Sequence, residues 1–138
     1  MNNNVFILDA CAVIAFIKKE TGWETVLDIL SKSIKGESVV FIHEINLLEI
    51  YYGFYHEKGK EYAEQKISET SSFFTIIRGL TDAAFSEAGR LKASYKISLA
   101  DSIALAEASV SGGTLLTADH HEFDTIEKQE KINFDWIR

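Results

Sequence analysis

The chain has 138 residues, 46% of them hydrophobic and 25% charged, with a formal net charge of −7, one cysteine and no proline. That balance excludes a disordered chain and fits one domain with a sizeable core, expected over residues 1–138. The excess of acid argues against a broad nucleic-acid-binding surface, whose footprint is basic, unless part of the negative charge gathers round metal ions. No apolar run approaches the roughly 20 residues that span a membrane. Cys11 alone makes no internal disulfide, and Met1-Asn2-Asn3-Asn4 lacks the basic residues of a secretory signal, so a reducing cytoplasm is expected.

Residues 4–8 (Asn-Val-Phe-Ile-Leu) form a short apolar run and predict a first strand. Val13, Phe16 and Ile17 then share one helical face, and Trp23, Val26, Leu27 and Leu30 share another. Gly36-Glu37-Ser38 leads into a second strand at 39–42. Ile45, Leu48, Tyr52 and Tyr55 repeat the helical spacing, which predicts that they line the inner face of a helix. A third strand is expected at 73–77, closed by Gly79. Ala84, Ala88, Leu91 and Tyr95, then Ile103, Ala104 and Ala108, predict two further helices. Gly112-Gly113 opens a fourth strand at 114–117, and 132–136 is a weaker fifth. Near-continuous apolar strands alternating with helices mean an α/β fold: a parallel sheet of about five strands covered on both faces, three layers in all. Ligands in such folds gather beyond the carboxyl ends of the strands.

Four acids stand in apolar or tightly punctuated settings: Asp9, Glu49, Asp101 and Asp119. Asp9 ends the first strand and Asp119 follows the fourth. Glu49 and Asp101 fall in helices. Each has a plainer explanation. Asp9 and Asp101 sit where a helix cap is needed, although Ser98 competes for the second cap. Asp119 suits a turn, and Glu49 suits a narrow polar stripe. A shared pocket explains all four together. Like charges held close raise one another's pKa unless a cation intervenes, and hard oxygen ligands suit Mg²⁺ or Mn²⁺.

The segments Leu8-Asp9-Ala10-Cys11-Ala12-Val13, Leu47-Leu48-Glu49-Ile50-Tyr51-Tyr52-Gly53, Ser98-Leu99-Ala100-Asp101-Ser102-Ile103 and Leu115-Leu116-Thr117-Ala118-Asp119 resemble, in order and rough spacing, the successive acidic motifs of the PIN domain family. In particular the chain is similar to the small toxins of bacterial and archaeal VapBC toxin–antitoxin pairs. The resemblance implies a Mg²⁺- or Mn²⁺-dependent endoribonuclease built on five parallel strands. Carried over by position, Asp9, Glu49, Asp101 and Asp119 are the catalytic, metal-binding acids, and Thr117 is a supporting hydroxyl. The likeness also implies an RNA substrate, an antitoxin partner and a homodimer. One position departs: where the family usually has Ser, Thr or Asn two residues after the first acid, this chain has Cys11, a poorer hydrogen-bond partner. The rival reading is a catalytically inactive PIN-like module that binds RNA or protein.

Other residues attract attention. His120-His121 are neighbours that cannot face one metal together and are expected in a solvated loop; His43 and His56 stand alone. Cys11 has no evident base nearby and is expected to serve as a small buried group. Glu122 and Asp124 follow Asp119 closely but are expected on a solvated face. Tyr51, Tyr52, Phe54 and Tyr55 fit a helical core or a dimer contact better than base stacking. Arg90, Lys92 and Lys96 precede Asp101 and are candidate phosphate contacts, though a solvated helix face explains them nearly as well. Phosphoryl transfer through an aspartyl intermediate fits poorly, since Cys11 stands where a second acid is wanted.

Overall fold

Runs of β-branched and aromatic residues too short for helices pair here as strands. The computed structural model describes residues 4–138; Met1 to Asn3, part of the segment searched for a leader, lie outside the described residues. Strands β1 (Val5–Leu8), β2 (Val39–His43), β3 (Thr75–Ile77), β4 (Thr114–Thr117) and β5 (Asn133–Trp136) form one sheet in the order β3-β2-β1-β4-β5. Every pair is parallel. Helices α1 (Ala10–Lys18), α2 (Trp23–Ile34), α3 (Glu44–Lys58), α4 (Lys60–Thr70), α5 (Asp82–Ser94), α6 (Leu99–Ser111) and α7 (His120–Gln129) cover its two faces, giving an α/β/α sandwich.

Strand parity decides which side each residue serves, because successive side chains point to opposite faces. Leu8, Val40, Ile42 and Leu116 pack with α1, α2 and α3 residues such as Val13, Val26, Leu30 and Ile50. Ile7 and Leu115 face the other way, into a core with Leu91, Ile103, Leu105, Phe123 and Ile126 from α5, α6 and α7. Helix α6 is buried from Ala100 to Ala108 except Asp101, and its many alanines permit close approach to the sheet. No helix among the described residues is long and apolar enough to cross a membrane.

Two local expectations change. Leu48, Tyr52 and Tyr55 are exposed, and the inner face of α3 is instead Asn46, Ile50 and Phe54. Helix α3 carries apolar residues on two stripes, and periodicity alone does not say which one meets the sheet. Phe73 ends a 3₁₀ turn (Ser71–Phe73), so the third strand begins two residues later than its apolar run.

The chain moves outward from β1 to β2 and β3, then returns to lay β4 on the opposite side of β1. That reversal opens a crevice beyond the carboxyl ends of β1 and β4, where α/β sheets place their ligands. Helices α1, α3 and α7 follow their strands directly, and α6 runs back before β4, so all four start at this same rim. Among them α3 is aimed by His43: Nδ1 accepts the Ile45 N–H at 3.1 Å, and Nε2 donates to the Gly79 carbonyl at 2.6 Å.

Candidate active site

Asp9 follows β1 immediately and is the N-cap of α1; its Oδ1 accepts the Ala12 N–H at 2.8 Å. Its other oxygen accepts the Thr117 hydroxyl at 2.5 Å. The pairing of β1 with β4 makes this bond possible, since Leu8 lies opposite Leu116 and the Asp9 N–H reaches the Leu116 carbonyl at 3.4 Å. Thr117 is fully buried, and its Oγ1 also accepts the Asp119 N–H at 3.1 Å. One hydroxyl therefore ties Asp9 to the backbone of Asp119. Asp119 caps α7, its Oδ1 accepting the Glu122 N–H at 3.2 Å. For Asp9 and Asp119 the capping role and the pocket position coexist.

Asp101 lies in the first turn of α6, capped by Ser98, whose Oγ accepts the Asp101 N–H at 3.1 Å. With the cap supplied by Ser98, the Asp101 carboxyl is left for the crevice. Glu49 is half-buried on α3 between exposed Leu48 and buried Ile50. These four acids come from four different stretches of chain, and they feel one another's charge. Burial pushes the Asp9 carboxyl up to about 7; its two hydrogen bonds oppose this, and Asp101 and Asp119 add to it. Burial likewise raises Asp101 to about 6, with Glu49, Asp119 and Glu122 contributing. Glu49 is raised by burial and then by Asp119.

The acids are thus electrostatic neighbours, and among the described residues no lysine or arginine forms an ion pair with Asp9. Among the described residues no three His, Cys, Asp or Glu side chains stand close enough to hold an ion as they are, so the group is open and not a closed cage. Its donors are carboxylate oxygens with a threonine hydroxyl behind them, which suits a hard divalent cation. Asp9 is 2% exposed and desolvated, a condition that a bound cation would relieve.

Three nearby residues behave differently from the sequence reading. Glu122 is half-buried and acts on Asp101, so it belongs to the rim of this cluster. The spacing Asp119-His120-His121-Glu122 before Phe123 and Ile126 is a capping-box pattern, and it is the signal that α7 starts at His120 instead of a loop. His120 serves α7 and β5: its ring stacks on Trp136 at 3.8 Å, Nδ1 meets Asp124 at 2.7 Å and Nε2 meets the Arg138 carbonyl at 2.8 Å. Arg90 is committed to Glu87 and Glu130, both at 2.7 Å, and is not free for phosphate. Cys11 is half-buried beside Asp9; burial and that carboxylate push its thiol up to about 11, which keeps it protonated and a poor nucleophile.

Comparison with known proteins gives a consistent result. Among solved structures, VapBC2 from Rickettsia felis, bound to a DNA fragment from its promoter, is 22% identical, covering 95% of this chain and 97% of that one with a TM-score of 0.75. A DNA-bound VapBC from Salmonella typhimurium is 17% identical over 100% of both chains, also with a TM-score of 0.75. Mycobacterium tuberculosis VapC20, a sarcin-ricin loop cleaving toxin, is 12% identical over 87% of this chain and 94% of that one, with a TM-score of 0.62. No curated protein sequence matches. Residues 6–129 match the PIN domain, which spans β1 through α7 and all four acids, and this chain therefore belongs to the PIN domain family.

Proposed function

We propose that this chain is a Mg²⁺- or Mn²⁺-dependent endoribonuclease and the toxin of a toxin–antitoxin pair. The observation that carries the reading is Asp9: a carboxyl buried at 2% exposure, raised to about 7, and subject to the charges of two other acids. A fold retains such a costly arrangement where it has a use for the charge. Asp9, Glu49, Asp101 and Asp119 are the residues that would hold the ion. A divalent ion there supplies charge neutralisation at a phosphodiester and lowers the pKa of water.

The chain's own groups do the remaining work. Thr117 and the Ala12 N–H hold the Asp9 carboxylate in one rotamer, and the Glu122 N–H holds Asp119. Burial desolvates Asp9, Asp101 and Glu49, which strengthens the charge interactions among them. Support for RNA as substrate comes from the family and from the VapC20 relative, described as cleaving the sarcin-ricin loop. Support for an antitoxin comes from similar solved structures described as a toxin–antitoxin complex and as a member of the VapBC family of toxin–antitoxin systems. A homodimer and action in the cytoplasm belong to the same reading.

The test is an RNA cleavage assay with Mn²⁺, alongside calorimetry of Mn²⁺ binding. Wild type is expected to cut RNA only with the ion, and Asp9→Asn and Asp101→Asn to lose at least ~100-fold in rate while remaining folded. Full activity in either variant overturns the reading. The open arrangement of the acids favours one second reading, a module that binds RNA or protein without cutting it. RNA binding with no detectable Mn²⁺ uptake would establish that alternative.

A further inference from the structure

A polyanion approaching a protein of net charge −7, and an acidic crevice in particular, needs cations at the rim. Most of the 14 lysines and arginines are already committed. Lys18, Lys32, Lys60, Lys66, Arg78, Arg90 and Arg138 are ion-paired. Lys19 and Lys58 lie over Trp23 and Tyr62. Lys128 and Lys131 stand at or beyond the far end of α7, whose first turn borders the site, and Lys35 ends α2. Lys92 lines an apolar groove with Leu80 and Phe85. Lys96 is different. It precedes α6 at the rim where Asp101 sits, and among the described residues it makes no ion pair or hydrogen bond.

Lys96 lines a cavity of about 230 Å³ together with His121, Glu122 and Thr125, closed by buried Ile97 and Ile126. Glu122 joins this cavity to the acid cluster, because its backbone N–H donates to Asp119 Oδ1 at 3.2 Å and its charge acts on Asp101. The side chains of His121 and Glu122, like that of Lys96, have no hydrogen-bond or ionic partner among the described residues. Lys96 and Glu122 border one cavity without pairing, so a ligand that satisfies both must present an anion to one and a hydrogen-bond donor to the other. A deoxynucleotide offers the anion alone at its sugar–phosphate. A ribonucleotide offers both, a phosphate and a 2′-hydroxyl.

We infer that this cavity is the subsite for a ribonucleotide neighbouring the scissile bond, with Lys96 and the His121 ring N–H taking its phosphate and the Glu122 carboxylate accepting its 2′-hydroxyl. The inference rests on the nuclease reading above and adds the residues that select RNA over DNA. Lys96 is a positioning residue for the strand, and Glu122 is a specificity-determining one.

The test compares wild type, Lys96→Gln and Glu122→Gln in binding a single-stranded RNA and the DNA of the same sequence, followed by fluorescence anisotropy across a salt series, with Mn²⁺ calorimetry beside it. Lys96→Gln is expected to weaken RNA binding about tenfold and to reduce the magnitude of the salt slope by about 0.7. Glu122→Gln is expected to narrow the RNA-over-DNA preference about fivefold. Both should bind Mn²⁺ as wild type does. Unchanged RNA affinity in Lys96→Gln, or an unchanged RNA preference in Glu122→Gln, overturns the subsite. Loss of Mn²⁺ binding in Glu122→Gln would make Glu122 an ion ligand and also overturns it. Wild type that binds RNA with these signatures but never cuts it would refute the nuclease reading alone, leaving Lys96, His121 and Glu122 as a ribonucleotide-binding site with no scissile bond beside it.

Discussion

The Asp9 carboxyl makes the folded protein hold a proton that the unfolded chain releases. Its ordinary value is 3.8 and its folded value about 7. Between those two values unfolding releases a proton, so stability falls as pH rises from about 4 to about 7 and is flat above. At about 1.4 kcal/mol per tenfold change in proton affinity, the loss is about 4 kcal/mol for the metal-free protein. Asp101, raised to about 6, adds to the same trend, discounted for its partial exposure. Asp9→Asn removes the Asp9 contribution. The Asn oxygen still accepts the Ala12 N–H, but the Thr117 hydroxyl loses its acceptor, at a cost of about 1 kcal/mol.

Metal-free Asp9→Asn should therefore be more stable than wild type by about 3 kcal/mol at pH 8, roughly 10 °C in Tm, and no more stable at pH 4. Thermal melts by circular dichroism in EDTA at pH 4 to 8 read this directly. A saturating divalent ion should reverse the order at pH 8, because wild type alone gains about 4 kcal/mol at a thousandfold excess over Kd. Parallel pH profiles for the two proteins in EDTA would refute the claim that Asp9 is a desolvated, uncompensated acid.

Thr117→Val keeps the shape but strips the hydroxyl that Asp9 and Asp119 share; Mn²⁺ affinity should fall about 10- to 100-fold by calorimetry. Cys11→Ser replaces a thiol beside Asp9 with a stronger hydrogen-bond donor, so the pH midpoint of Mn²⁺ binding should move down, as a pH series of titrations would detect. Gly22→Ala should destabilise the fold by more than about 2 kcal/mol in urea unfolding. Gly22 has φ +95°, and an added Cβ would clash with the Ile137 carbonyl oxygen.

The fold was legible because two periodicities mark it. Apolar runs at 5–8, 39–43 and 114–117 alternate with stretches of 3.6-residue spacing, and a fully apolar strand needs cover on both faces, which is a parallel sheet between helices. Where a helix has two apolar stripes, as α3 does, that logic runs out: Leu48 and Tyr52 satisfy the spacing as well as Ile50 and Phe54 do, and only packing against the sheet and neighbouring helices separates them. The start of α7 was legible from the Asp119 to Glu122 spacing, but turn-forming Asp and two polar histidines masked it.

The site divides in the same way. Local sequence decides that Asp9 and Asp119 each end a strand and cap a helix, since capping depends on atoms three residues apart. It also decides that Asp101 is spared that duty by Ser98. That the Thr117 hydroxyl holds an acid 108 residues away is a property of strand order: β4 lies against β1 because the chain doubles back, and no local rule chooses that neighbour. Desolvation follows the same division. An apolar flank in the sequence is compatible with an exposed acid or a buried one, and Asp9 becomes the most perturbed carboxyl only because helices and strands distant in the chain close round it.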